Sequence, residues 1–188
     1  MTLSSEDPKS SMGTILFAQL DNVQVLKFVG DVRVTLGPTI SRYLESIGQD
    51  TSLKSIVIDL TEAVGIDSTS LGLLAKISLR SQEFLKVLPT IVSTNADVTR
   101  ILHSMGFERV FLIVEDTDLC RDQMGELPTS VVNESELREQ VLEAHRVLMS
   151  LNKSNEMKFR DLVEALELEK TLLSGQNDSK SPRYAQGC

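Results

Sequence analysis

The spacing of apolar residues changes repeatedly along this chain, and each change marks an element. Residues 13–29 read as two strands, with Ile15, Phe17 and Leu20 in the first and Val23, Val25, Leu26, Phe28 and Val29 in the second. Asp21-Asn22 between them is turn chemistry, because short Asx side chains satisfy nearby backbone groups, so the pair predicts a hairpin. Leu36, Ile40, Leu44 and Ile47 then fall three or four apart, which predicts a helix over 35–47 ended near Gly48. Residues 55–60 form a short β-branched run of the kind buried on both faces of a parallel sheet. A helix is expected over 70–87, with Leu71, Leu74, Ile77 and Leu85 inward, Lys76, Arg80 and Glu83 outward, and Pro89 as its stop. A strand over 90–93 follows, then a helix over 95–105 with Asn95 as N-cap, Val98, Ile101 and Leu102 inward, and Gly106 behind it. Residues 110–114 read as the last strand. The order β-β-α-β-α-β-α-β predicts a mixed α/β sheet, antiparallel at its opening hairpin and parallel where helices separate the strands.

The pattern then changes character. Residues 119–133 read as a connector, with one helical turn over 118–124 and with Gly125 and Pro128 behind it. Leu137, Val141, Ala144, Leu148 and Leu151 step by four and three, and after a polar break at 152–155 Phe159, Leu162, Leu166 and Leu173 keep a similar register. Two amphipathic helices over 134–173 make a helical hairpin extension that packs mainly on its own chain. Leu142, Val147, Met149 and Val163 are an apolar surplus available for a second contact. The first 12 residues and the segment 174–188 are polar and are expected to be flexible tails.

Composition narrows the function. The chain has 188 residues, of which 41% are hydrophobic and 24% charged, the balance of a soluble globular protein. Its formal net charge of −8 disfavours nucleic acid and an anionic membrane as direct ligands, since both need a basic face. No apolar run reaches the length of a membrane span, and the N-terminal residues lack the apolar core of a secretory signal. Cys120 and Cys188 cannot build a disulfide framework, so a cytoplasmic protein is expected, with another protein as its partner. His103 and His145 have no ligand-spaced neighbours, so no metal site is expected. Cys120 has no activating neighbour beyond Arg121.

The densest chemistry is at Asp67-Ser68-Thr69-Ser70, between the strand over 55–60 and the following helix. Hydroxyls at a helix start meet unpaired backbone N–H groups and the positive end of the helix dipole, where a phosphate is tolerated. Read from the residues alone, this is either a phosphorylatable site or an ordinary N-cap. Enzymatic use of Ser68 would need a base and a nucleophile elbow. The Gly-x-Ser-x-Gly pattern is absent, with Ile66 and Ser70 at the glycine positions, so no enzyme and no cofactor are expected.

Residues 56–77, IVIDLTEAVGIDSTSLGLLAKI, resemble the signature of STAS domains, and in particular of bacterial anti-sigma factor antagonists. Asp67, Ser68, Thr69, Leu71 and Gly72 match that pattern; Ser70 stands where the family usually has Gly. Val92-Ser93-Thr94-Asn95 and Met105-Gly106-Phe107 are similar to the family's fourth strand and third helix, so the resemblance spans about residues 13–118. Val29-Gly30-Asp31-Val32-Arg33 departs from it, with Arg33 at an acidic position. The resemblance implies a STAS fold and a phosphoacceptor at Ser68, with Thr69 the second candidate. It implies a partner-binding loop of Asp67, Ser68, Thr69, Ser70 and Gly72. The implied partners are an anti-sigma factor that is also a serine kinase and a metal-dependent serine phosphatase; metal and ATP belong to them. The hairpin sequence looks like the extension on proteobacterial relatives that pair with response regulators carrying phosphatase or kinase modules. A competing role within the same fold is a scaffold or subunit that binds an ATPase, in lipid transport or a stressosome-like assembly, without a phosphorylation cycle.

Overall fold

The computed structural model describes residues 13–116 and 124–178, residues 174–178 as backbone. The opening hairpin pairs β1 (Thr14–Leu20) antiparallel to β2 (Val23–Val32), with Leu20 opposite Val23 and Asp21 in the left-handed region that a tight turn demands. The chain then runs through a short 3₁₀ turn into α1 (Gly37–Ser46), β3 (Ser55–Ile66), α2 (Ser68–Leu85), β4 (Thr90–Val92), α3 (Ala96–Ser104) and β5 (Leu112–Val114). Parallel pairing joins β2 to β3, β3 to β4 and β4 to β5. The sheet order is β5-β4-β3-β2-β1-β6, where β6 is Gly125–Glu126. The expected mixed α/β fold is what the structure shows.

One consequence of that order positions everything else. The crossovers β2-α1-β3, β3-α2-β4 and β4-α3-β5 all step the same way along the sheet. Right-handed crossovers that step one way place all their helices on one face. The main core therefore lies between that face and α1, α2 and α3, with Leu26, Phe28, Ile56, Ile58, Leu60, Leu74 and Ile91 fully buried. The opposite face carries a smaller cluster of Val25, Val57 and Val92. Beside it Lys27 and Asp59, register partners on β2 and β3, are also buried. Lys27 pairs with Glu62, and Asp59 accepts from the Thr61 backbone and hydroxyl at 2.9 and 2.6 Å.

Several sequence expectations are corrected. The strand drawn over 55–60 continues to Ile66, so no loop separates it from Asp67. Its extra length pairs with the end of β2 through register shifts on either side of Gly30, whose φ of 77° suits a bulge. Residues 110–114 are not the last strand. The connector contributes β6, which pairs antiparallel with β1 through Leu16 and Phe17, and the Ser130 N–H donates to Thr39 Oγ1 at 3.1 Å.

The polar break shrinks to Asn152: α4 (Glu134–Leu151) and α5 (Lys153–Asp178) nearly abut, and α5 runs past the expected end at residue 173. Asn152 caps α5 by accepting from the Asn155 N–H at 2.8 Å. The expected surplus is already in use. Leu142 and Val163 are 2% and 5% exposed, and Val147 and Met149 pack against the core. The N-terminal tail over 1–12, most of the turn drawn over 118–124, Cys120 and residues 179–188 lie outside the described residues.

Tyr43 illustrates how tightly the helix layer closes on the sheet. Its hydroxyl donates to Gln24 Oε1 at 2.7 Å, and its ring lies 6.3 Å from that of Phe17. Burial pushes its phenol well above the ordinary 10.0. Removing the hydroxyl in Tyr43→Phe leaves a buried amide oxygen unpaired and should cost about 1–2 kcal/mol in chemical denaturation. Because the folded pKa is the raised one, the contribution of Tyr43 to stability is fully present below pH 10.0 and is lost as pH rises further. Tyr43→Phe should lack that part of the alkaline loss.

Candidate functional site

The site begins with Asp67, which leaves β3 in extended conformation and caps α2. Its Oδ1 accepts from the Ser70 N–H at 2.7 Å. Its Oδ2 accepts from the Val34 N–H at 2.7 Å, and its own N–H donates to the Val32 carbonyl at 3.0 Å. One carboxylate thus ties the end of β2 to the start of α2. N-cap is therefore an observed role of Asp67, and this leaves Ser68, the first residue of the helix, free for another.

Ser68 sits at the carboxyl end of β3, on the edge where open parallel sheets place their chemistry. It is half-buried. Its Oγ lies 3.0 Å from Nε2 of His145, on α4. The His145 Nδ1 lies 2.8 Å from the Val141 carbonyl, which can only accept. In the neutral ring Nδ1 therefore carries the hydrogen and Nε2 accepts from the Ser68 hydroxyl. His145 is 2% exposed, and the Phe159 ring packs against it at 5.2 Å with a 64° tilt.

The hairpin reaches Ser68 because α4 lies across the helix layer. A methyl group added to Gly37, at the start of α1, would sit 3.2 Å from Gln140 Oε1. One added to Gly72 would sit 2.2 Å from the Ala144 carbonyl oxygen, so α4 touches α2 backbone to backbone there. Further on, Asn152 Nδ2 donates to the Met105 carbonyl at 3.1 Å, and Arg109 Nη1 donates to the Leu151 carbonyl at 3.1 Å. The twelve residue steps from Gln140 to Asn152 cover about 18 Å along the helix axis, which matches two interhelix steps of about 8–10 Å. Lys76 Nζ and Glu143 Oε1 form an ion pair at 2.7 Å beside the crossing. The buried Asn155 donates to the Met105 and Leu148 carbonyls at 3.0 and 2.9 Å, which ties the start of α5 to the same place.

This geometry changes the picture of an open partner-binding loop. Asp67 and Ser68 are half-buried, whereas Thr69 and Ser70 are 7% and 0% exposed and Gly72 lies under α4. Lys76 is engaged by Glu143, and Arg100 pairs with Asp97 on α3. His103 is exposed near Glu108. His145, read from the sequence as a lone histidine, is the one brought to Ser68, from 77 residues away. A local signal existed: Ala144-His145 falls on the inward stripe of α4, where a polar ring needs a partner. Only the crossing angle of α4 says which partner. Among the described residues no cluster of three metal-ligating side chains occurs, and no helix is long and apolar enough to cross a membrane.

The sequence model of the STAS domain matches residues 14–120, and the chain belongs to the STAS domain family. No curated protein sequence matches it. Among solved structures it is similar to an anti-sigma factor antagonist from Mycobacterium paratuberculosis, at 21% identity and a TM-score of 0.49 over 57% of this chain and 89% of that one. It is also similar to the anti-sigma factor antagonist SpoIIAA in its unphosphorylated form, at 12% identity and a TM-score of 0.45 over 55% and 90% of the two chains.

Asp67→Ala should unpair the N–H groups of both Ser70 and Val34 and cost about 1–2 kcal/mol in urea denaturation. Asp67→Asn keeps only one acceptor oxygen and turns an NH2 towards the other N–H, so it should recover no more than about half of that loss.

Proposed function

We propose that this chain is an anti-sigma factor antagonist controlled by phosphorylation of Ser68. Its unphosphorylated form binds an anti-sigma factor that is also a serine kinase, which frees a sigma factor. Phosphorylation ends that binding, and a metal-dependent serine phosphatase restores it. The observation that carries this reading is the position of Ser68: first residue of α2, directly behind the Asp67 cap, within the Asp-Ser-Thr-x-Leu-Gly pattern of the family.

The physics of the position supports a switch. A phosphoserine adds about −1.5 to −2 charge and three acceptor oxygens at pH 7. At the first turn of α2 the helix dipole favours that charge by about 0.3–1 kcal/mol, so the sheet and its helices stay folded while the surface a partner reads is inverted. Neither ATP nor a metal need be held by this chain, since the phosphoryl transfer and its reversal belong to the partners.

Intact-mass and fragment mass spectrometry of the protein from its own cells tests the reading. A phosphate on Ser68 whose occupancy differs between growth and stationary phase is the expected result. A single unmodified mass in both conditions would replace the switch with a constitutive scaffold. In binding assays Ser68→Ala should hold the anti-sigma partner under conditions that release wild type, and Ser68→Asp should bind it more weakly. If both variants bind like wild type, Ser68 is not the switch, and Thr69 becomes the candidate.

A further inference from the structure

The hydroxyl that this function needs is held by the chain's own C-terminal hairpin. We propose that α4 and α5 form a latch over Ser68, such that the docked hairpin and a phosphate on Ser68 exclude each other. The proposal rests on the reading of Ser68 as phosphoacceptor. It adds that the hairpin sets how readily that residue is modified and is released by the modification.

Three observations carry it. The Ser68 hydroxyl donates to a ring nitrogen of His145, a residue that is 2% exposed and has the Phe159 ring packed against it, so the space beyond Oγ on that side is filled. Phosphoryl transfer from ATP forms an Oγ–P bond, breaks the terminal phosphoanhydride, releases ADP and sends the hydroxyl proton to a base. The donor phosphorus must reach Oγ, and the docked hairpin occupies part of its approach. After transfer, the hydrogen that satisfied Nε2 is gone. Three phosphate oxygens must then fit where one hydroxyl did, against a ring that is itself buried.

The docking surface is also a single mechanical unit. α4 meets α2 through the bare backbone at Gly72, and the Lys76–Glu143 pair and the Met105 carbonyl hold its two sides. A rigid helix so placed cannot retreat from Ser68 locally without moving at Gly72. Coupling of this kind is reciprocal: whatever factor phosphate takes from docking, docking takes from phosphate.

The test uses the full chain with phosphoserine installed at position 68 during synthesis, so no kinase is needed. Hydrogen exchange of α4 and α5 amides is compared with that of the unmodified chain and of Ser68→Ala. The expected result is exchange about 10-fold or more faster in α4 and α5 of the phosphoserine chain, with β2 and β3 unchanged and Ser68→Ala, which loses the hydrogen bond but adds no bulk or charge, between the unmodified and the phosphoserine chains. Equal exchange overturns the latch. Slower exchange also overturns it, because it would mean that phosphate tightens the contact instead of opening it.

A second measurement needs no phosphate. In Ser68→Cys the position-68 thiol is labelled with a soluble alkylating reagent and resolved from Cys120 and Cys188 by fragment mass. Adding Gly72→Ala, which pushes α4 off α2, should speed labelling about 10-fold or more; an unchanged rate overturns the proposal. If these experiments fail while Ser68 is phosphorylated in cells, the latch alone is wrong. If Ser68 is never phosphorylated in cells while they succeed, the proposed function is wrong and the mechanical coupling remains.

Discussion

The missing side chain at Gly72 sets the distance between α2 and α4, and the arrangement beyond the sheet follows from it. With any Cβ there the Ala144 carbonyl would be in collision, and α4 would have to stand off. At the observed distance Ala144 and Leu148 join the main core, which then runs from the sheet through α2 into the hairpin and reaches Phe159. Burial of a leucine or phenylalanine side chain stabilises by about 1.5–3 kcal/mol, so a stand-off of one methyl group would weaken several such contacts together. The same approach decides where His145 falls, one residue beyond the crossing.

Two polar groups near this crossing divide the labour. The Asp67 carboxylate spends both oxygens on backbone N–H groups of separate elements, so it holds geometry. The Ser68 hydroxyl spends its hydrogen on a ring that belongs to another part of the chain, so it reports whether that part is in place. Adjacent residues with similar chemistry take different roles because one faces the sheet edge and the other faces the hairpin.

Much of the fold was legible because it is periodic. The hairpin turn at Asp21-Asn22, the Asn95 cap with its bonds to the Asp97 and Val98 N–H groups, and both amphipathic helices follow from local spacing and side-chain chemistry. What escaped is what depends on partners distant in sequence. β3 runs to Ile66 because β2 offers a matching edge beyond Gly30, and no spacing rule on Thr61-Glu62-Ala63-Val64 signals that. Gly125–Glu126 is a strand only because Leu16 and Phe17 leave an edge to pair with. The site was half legible. Asp67 and Ser68 were marked by their place before an apolar helix, but the role of Gly72 as a point of contact and the identity of His145 as a neighbour depend on a helix crossing. A crossing angle is a property of two surfaces and appears in neither sequence segment alone.

The short stretch from β6 to α4 has a consequence for competition. Ser130 is pinned to Thr39 on α1, and α4 begins at Glu134, so only a few residues join that anchor to the docked hairpin. A segment on so short a tether meets its own site at an effective concentration in about the millimolar range. Any protein that takes the α2 face must outbid that internal ligand. A partner with micromolar affinity for the bare face would look about a thousand-fold weaker against the tethered hairpin if the two affinities were equal. The tether and the contacts of the docked hairpin together therefore set how strong an outside partner has to be.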